Sequence, residues 1–259
     1  MKRILTCLFL FSALSFAQTP FDGTWVANLK TAQLSSKPNI FLLNKGMYSC
    51  PTCTPAVNVQ ADGQDQKVPG SDYLNSVAIR VVDARTIEET DKKDGRIVFK
   101  NTSTVSPDGK NLTSKFEEDF GAQPISGEQT YARISPGPAG SHAISGSWRS
   151  KKLSKISTNN GITLTYKSQP NGLKMTANNG ESYDAKFDGK QYRLEGDPGH
   201  TTVSIQRLGP RTLQETYTRD GKIISTFLMS VSADGKAMTA TAHDVQQDRT
   251  NHFTLNKKS

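Results

Sequence analysis

The sequence predicts an all-β protein built as two tandem antiparallel up-and-down β-barrels of about eight strands each. Three observations support this. The chain contains a long internal repeat, its apolar residues alternate with polar ones, and Asp-Gly or Asn-Gly pairs recur at short intervals. A period of two is typical of half-buried strands, and Asp-Gly between such segments is typical of tight hairpins. Closing a hairpin-rich sheet into a barrel removes its unpaired edges.

The repeat is visible when the chain is compared with itself. Residues 61–118 align without a gap with residues 187–244, and about 18 of the 58 pairs are identical. The segment RTIEETDKKDGRI in the first half matches RTLQETYTRDGKI in the second, and FDGTW near the start matches ISGSW. A repeat this long indicates two similar domains rather than a solenoid, whose repeats run to about 50 residues.

The alignment also sets the expected domain boundaries. We expect the first barrel at residues 20–134 and the second at residues 144–258. Residues 135–143, which include SPGPAGS, have the composition of a linker.

The strand and turn pattern agrees between the halves. Val77, Ile79 and Val81 alternate with polar or small residues, as do Val203 and Ile205. Because both central residues of a type I′ turn have positive φ, Asp-Gly pairs favour that turn. The pairs occur at 62/63, 94/95 and 108/109, and again at 188/189, 220/221 and 234/235.

The N-terminal residues predict export. Lys2 and Arg3 precede a mostly apolar run of about a dozen residues that ends in small residues, which is typical of a secretory signal peptide. We expect a signal peptide at residues 1–17, cleavage after Ala17, and a secreted or periplasmic protein. Cys7 would leave with the signal peptide. The run is shorter than the roughly 20 residues that a membrane span requires, and no transmembrane segment is expected elsewhere.

The charge balance limits the expected partners. The chain has 32 basic and 24 acidic residues, which leaves a net charge of about +6 without the signal peptide. The basic residues are scattered and do not interleave with aromatic residues, so nucleic acid is not an expected partner. An acidic envelope polymer remains one alternative. About 240 residues can bury a substantial core, and we expect a monomer.

Cys50 and Cys53, in YSCPTC, are the only cysteines beyond the N-terminal segment. A zinc site would need two more ligands, and the histidines are widely spaced, so no metal is expected. Covalent haem would need histidine where Thr54 stands. No strand-turn-helix pattern follows, as a thioredoxin-type site would require. In an oxidising compartment the pair is interpreted as a disulfide that closes a short loop and contributes about 2 kcal/mol.

Other catalytic signals are weak. The chain has no Gly-x-Ser-x-Gly elbow, phosphate-binding loop or dinucleotide fingerprint. Neighbouring acids such as Glu88 and Glu89 point to opposite faces of a strand, and we interpret them as solvated. The repeat-equivalent Glu89 and Glu215 lie near predicted hairpin turns and are expected to be exposed. The sequence therefore predicts no enzyme and no cofactor.

Two short motifs resemble those of a known fold family. Gly23-Thr24-Trp25 and Gly146-Ser147-Trp148 are similar to the Gly-x-Trp signature on the first strand of lipocalin-like barrels. This resemblance implies that Trp25 and Trp148 pack across the closed ends of their barrels, with ligand lining as the alternative role.

A second resemblance covers nearly the whole chain. The phrases TIEET at 86–90 and VSADGK at 231–236 resemble a group of uncharacterised secreted bacterial proteins, common in acidobacteria, with tandem lipocalin-like β-barrels. This resemblance implies a fold and an exported location but no activity.

These observations favour a non-catalytic binding protein for a small apolar ligand. One alternative is a structural or interaction protein of the cell envelope with filled barrels. A less favoured one is a thiol-disulfide redox protein that uses Cys50 and Cys53. A barrel cavity above about 300 Å³ would favour the binding protein.

Overall fold

The computed structural model describes residues 19–68, 71–120, 123–157 and 162–259. The expected signal peptide and Cys7 lie outside these residues. Within them the protein is all-β, with no helix. Accordingly, the described part of the chain has no helix long and apolar enough to cross a membrane.

The strands come in two runs along the chain. The first run is β1 (Gly23–Ala27), β2 (Asn39–Asn44), β3 (Met47–Cys50), β4 (Val57–Gln60), β5 (Gln66–Lys67), β6 (Ser76–Asp83), β7 (Thr86–Lys93), β8 (Arg96–Val105), β9 (Asn111–Glu118) and β10 (Ile125–Pro136). The second run is β11 (Gly146–Ser154), β12 (Thr163–Gln169), β13 (Gly172–Ala177), β14 (Ser182–Lys186), β15 (Tyr192–Arg193), β16 (Thr202–Gly209), β17 (Thr212–Arg219), β18 (Lys222–Val231), β19 (Ala237–Asp244) and β20 (Arg249–Lys257).

The strands form two nearly closed antiparallel barrels, which confirms the predicted fold class. In the described residues each sheet has ten strands rather than about eight. The difference includes the two-residue strands β5 and β15, which have no clear sequence signal of their own. The ends of the second sheet meet through Ser182 and Glu195, which exchange backbone hydrogen bonds of 3.0 and 2.8 Å.

The sheets do not follow the repeat boundaries, because the first strand of each repeat lies in the other repeat's barrel. β11 lies between β2 and β10, so the first barrel is the continuous segment 39–154. β1 lies between β12 and β20, so the second barrel combines residues 163–257 with residues 23–27. The barrels expected at 20–134 and 144–258 therefore differ from the observed sheets by one strand each.

The segment 135–143, expected as a linker between barrels, instead belongs to the connection from β10 to β11 within the first barrel. The Gly137 N–H donates to the Ser145 carbonyl at 3.0 Å. The Arg133 guanidinium donates to the carbonyls of Ser145 and Ala143, at 2.7 and 2.6 Å. These bonds satisfy carbonyls in the connection and hold it against β10, so a composition typical of a linker forms a fixed turn here.

Two of the six Asp-Gly pairs form the predicted type of turn. Asp94-Gly95 and Asp220-Gly221 have positive φ at both residues. At the other four pairs the glycine has positive φ but the aspartate does not. There the aspartate carboxylate accepts a hydrogen bond from the N–H of the residue two positions later, which stabilises a different turn. These four are Asp62, Asp108, Asp188 and Asp234, with distances of 2.9–3.1 Å.

The two barrels contact each other through side chains from their ends. Tyr73 of the first barrel donates to Asp197 of the second at 2.5 Å, and the Arg219 guanidinium lies over the Tyr73 ring at 4.6 Å. Elsewhere, the Gln247 amide in the loop between β19 and β20 donates to the Thr52 carbonyl at 2.8 Å. This second contact places part of the second barrel against the cysteine-containing turn of the first.

Candidate functional site

Each barrel contains a cavity. The cavity of the first barrel has a volume of about 490 Å³, and that of the second about 320 Å³. Ligand sites in proteins typically measure roughly 300–1,000 Å³. Both interiors therefore have room for a small organic molecule.

The cavity of the second barrel is mostly apolar. Inward-facing residues of β12, β13, β18, β19, β20 and the exchanged β1 line it; these include Ala27, Leu164, Met175, Ala177, Phe227, Ala242, Phe253 and Leu255. Polar side chains such as Glu181, His243 and Asn251 also line it. An apolar wall with a few polar groups is the usual composition of a small-molecule site.

Glu215 is the buried polar group of this cavity, with 1% of its surface exposed. Three tyrosine hydroxyls donate to its carboxyl group: Tyr166 at 2.9 Å, Tyr183 at 2.5 Å and Tyr217 at 2.6 Å. Burial raises the pKa of Glu215, and the three hydrogen bonds oppose that rise. The arrangement leaves the carboxyl group well supplied with donors from the protein itself.

The cavity of the first barrel has a different lining. Five aromatic rings surround it, those of Phe41, Phe99, Phe116, Phe120 and Tyr131. Three carboxyl groups also line it, from Glu89, Asp91 and Glu118, whereas no lysine, arginine or histidine does. In a chain with 32 basic residues, this cavity is acidic and aromatic.

Glu89 and Asp91 are two apart on β7, so both side chains point to the same face, into the barrel. Asp91 is 6% exposed, and its Oδ1 atom has no hydrogen-bond partner among the described residues. Burial, and then the negative charge of Glu89, raise the pKa of Asp91 to about 8. Burial raises the pKa of Glu89 as well. Neither carboxyl group forms an ion pair with a basic side chain in the described chain.

The strand registers show what replaces the three tyrosines in the first barrel. Glu89 is equivalent to Glu215, and Asp91 to Tyr217, in the 126-residue alignment. Phe41 is equivalent to Tyr166, since each lies opposite the glycine of a Gly-x-Trp strand.

In the second barrel Tyr166 lies opposite Met175, and Met175 lies opposite Tyr183. The same register in the first barrel leads from Phe41 through Cys50 to Val57, so Val57 takes the place of Tyr183. The first barrel therefore keeps the buried glutamate but has a phenylalanine, a valine and a second carboxyl group where the second barrel has three hydroxyl donors.

Trp25 and Trp148 are both completely buried, and neither lines a cavity. Each indole N–H donates to the carbonyl four residues earlier, at 2.7 Å for Trp25 and 2.8 Å for Trp148. A cation covers each ring: Lys257 lies 5.3 Å from the Trp25 ring, and Arg133 lies 4.0 Å from the Trp148 ring. Because of the strand exchange, Trp25 packs in the second barrel and Trp148 in the first.

Cys50 and Cys53 form a disulfide, with their sulfur atoms 2.06 Å apart. Cys50 is 1% exposed and belongs to the core of the first barrel, whereas Cys53 lines its cavity. Thr52 and Thr54 line the same cavity. The disulfide therefore fixes a turn that forms part of the cavity wall.

The expectation that Glu89 and Glu215 are exposed was wrong, because both side chains point into their barrels. Leu213, Glu215 and Tyr217 form one inward-facing series, and Ile87, Glu89 and Asp91 form the equivalent series. The period of two, continued from the apolar residues Ile87 and Leu213, was the signal that could have identified these acids.

No group of three or more metal-ligating side chains is found in the described residues. The comparisons with known proteins give no assignment, because no family model, no curated protein and no solved structure matches this chain.

Proposed function

We propose that this protein is an exported, non-catalytic binding protein, and that the second barrel holds a small, mostly apolar ligand. The observation that carries the proposal is the cavity of about 320 Å³ lined by apolar side chains. A barrel that served only as a structural element would need no such pocket, because side chains can fill the interior of a barrel of this size.

The polar groups suit a ligand with one or two polar atoms. Glu215 has three donors of its own, so it does not require a charged partner. His243 and Asn251 also line the cavity. The His243 Nδ1 atom bonds Thr250 and the Asn251 Oδ1 atom accepts from the Ser35 N–H, which leaves the second ring nitrogen and the amide NH₂ group for a ligand hydroxyl or carbonyl group. Most of the binding free energy would come from burying apolar ligand surface.

The proposal can be tested by filling the cavity. Ala242 lines it and is equivalent to Phe116 of the first barrel, so Ala242→Phe introduces a side chain that the same scaffold already accommodates. The probe is Prodan, a neutral naphthalene fluorophore that brightens in apolar surroundings. We expect Ala242→Phe to weaken Prodan binding by about tenfold, as expected for the loss of roughly 1.4 kcal/mol of contact.

Thr239→Phe is the matched control, because Thr239 lies on the same strand with its side chain exposed. It should bind Prodan as the parent protein does. Equal binding by the parent and Ala242→Phe, with both folded, would contradict the proposal.

A further inference from the structure

The cavity of the first barrel contains a defect that the second barrel lacks. Asp91 is 6% exposed, its Oδ1 atom is unpartnered among the described residues, and it shares an inward face with Glu89. A buried polar atom without a hydrogen bond costs free energy, and a buried pair of like charges costs more. The Oδ1 atom of Asn101, in the same cavity, also lacks a partner in the described part of the chain.

The second barrel shows that this scaffold can satisfy a buried glutamate internally. Tyr166, Tyr183 and Tyr217 donate to Glu215 there. In the first barrel the three equivalent positions carry no hydroxyl donor, and one of them adds the carboxyl group of Asp91. The cavity thus presents three carboxyl groups, from Glu89, Asp91 and Glu118, and no basic side chain lines it. The Asn101 side chain hydrogen-bonds Glu89, but no described donor reaches Asp91 Oδ1.

We propose that the first barrel binds a small organic cation, an amphiphilic primary amine, whose ammonium group pairs with Glu89 and Asp91 while its apolar part packs against the aromatic wall. An ammonium group supplies three N–H donors and a positive charge. The aromatic rings of Phe41, Phe99 and Tyr131 suit both parts of such a ligand, because ring faces attract cations and ring edges pack against alkyl chains.

An organic cation fits better than a metal ion. Calcium takes six or more oxygen ligands, and the three carboxyl groups of the cavity do not form a group that could hold a metal ion in the described residues. The volume of about 490 Å³ also far exceeds what a metal ion needs. The site is separate from the cavity of the second barrel, so the inference stands even if that cavity binds nothing.

The test compares three probes that share one alkyl chain: n-octylamine, 1-octanol and octanoate. Binding to the full chain is measured by isothermal titration calorimetry at pH 9, because Asp91, with a pKa of about 8, is then mostly ionised while an alkylammonium group keeps its proton. Because a hydrogen bond to a charged group is stronger than a neutral one, n-octylamine should bind at least about tenfold more tightly than 1-octanol. Octanoate should bind most weakly, since its charge repels the carboxyl groups.

Two variants identify the site. Asp91→Asn and Glu89→Gln keep the shape of the side chain and remove its charge, and each should weaken n-octylamine binding about tenfold while leaving 1-octanol binding unchanged. Glu88→Gln is the matched control, because Glu88 lies on the same strand, faces outward and pairs with Arg80. It should bind n-octylamine as the parent does, and thermal melting confirms that each variant is folded.

The inference would be overturned by equal binding of n-octylamine and 1-octanol to the parent protein, or by equal losses in Glu88→Gln and Asp91→Asn. Displacement of n-octylamine by calcium chloride at equimolar concentration would indicate a metal site instead. If Nα-acetyl-lysine amide bound more tightly than n-octylamine, the site would recognise a lysine side chain of a partner protein rather than a small amphiphile. The Ala242→Phe variant, with its change in the other barrel, should leave n-octylamine binding intact.

Discussion

Replacing Trp25 by alanine should destabilise the second barrel, although Trp25 belongs to the first repeat. The strand exchange places Trp25 opposite Leu164 and Lys257 in the second sheet. If each repeat formed its own barrel, the same substitution would destabilise the first barrel instead. The substitution therefore tests the exchange itself rather than the general importance of a buried tryptophan.

The expected loss is large. Trp25 is completely buried, its indole N–H donates to the Phe21 carbonyl at 2.7 Å, and the Lys257 ammonium lies 5.3 Å from its ring. Truncating a buried tryptophan to alanine typically costs about 3–5 kcal/mol, through lost apolar burial and the cavity left behind. Because the Phe21 carbonyl also loses its donor, we expect a decrease of about 4 kcal/mol in the free energy of unfolding of the second barrel.

Hydrogen exchange followed by mass spectrometry locates the effect. In Trp25→Ala, peptides from residues 163–257 should lose protection, whereas peptides from residues 39–154 should keep it. Trp148→Ala is the mirror-image control and should loosen residues 39–154. Loss of protection confined to residues 39–154 in Trp25→Ala would refute the exchanged topology.

Two further predictions concern backbone strain and pH. Gly146→Ala should destabilise the protein more than Gly23→Ala. Both glycines have positive φ, so the difference comes from what the new Cβ atom meets. At position 146 it would lie 2.3 Å from the rigid Ser135 carbonyl oxygen, whereas at position 23 it would meet the flexible end of the Lys257 side chain. Urea unfolding should show a larger loss for Gly146→Ala by about 1–3 kcal/mol, and an equal loss would contradict the argument. The melting temperature of the parent should fall as pH rises from about 5 to 8. The folded state holds a proton on Asp91 up to a pKa of about 8, whereas the unfolded state releases it near pH 4, so rising pH favours the unfolded state over this range. Asp91→Asn should flatten that decline, and an unchanged slope would show that Asp91 is not responsible.

The repeat and the strand alternation were sufficient to predict two β-barrels, but not which strand completes which barrel. Trp25 and Trp148 make the same indole hydrogen bond and each lies under a cation, so the Gly-x-Trp motif does not identify the barrel that its strand completes. Their exchange depends on the connections that follow them. Connections carry no periodic signal, so the sequence alone could not distinguish the two pairings.

The cavities were predictable only in outline. A barrel of this size has room for a ligand, but whether it is hollow depends on side-chain volumes at positions such as Ala177 and Ala242. The acidic pair was overlooked because Glu89 was considered with its neighbour Glu88 rather than with Asp91, two positions away. Its significance also depends on comparison with the second barrel, where three residues distant in sequence converge on Glu215.

The exchanged strand also sets an order of assembly during synthesis. The first barrel is one continuous segment and can close as soon as β11 has been made. β1 precedes that whole segment, yet its neighbours β12 and β20 are made only afterwards. Pairings between such distant segments form slowly, because a long chain must be brought together before any contact rewards it. The second barrel therefore matures last, and until then a nascent chain carries an unpaired tryptophan strand that other chains could capture.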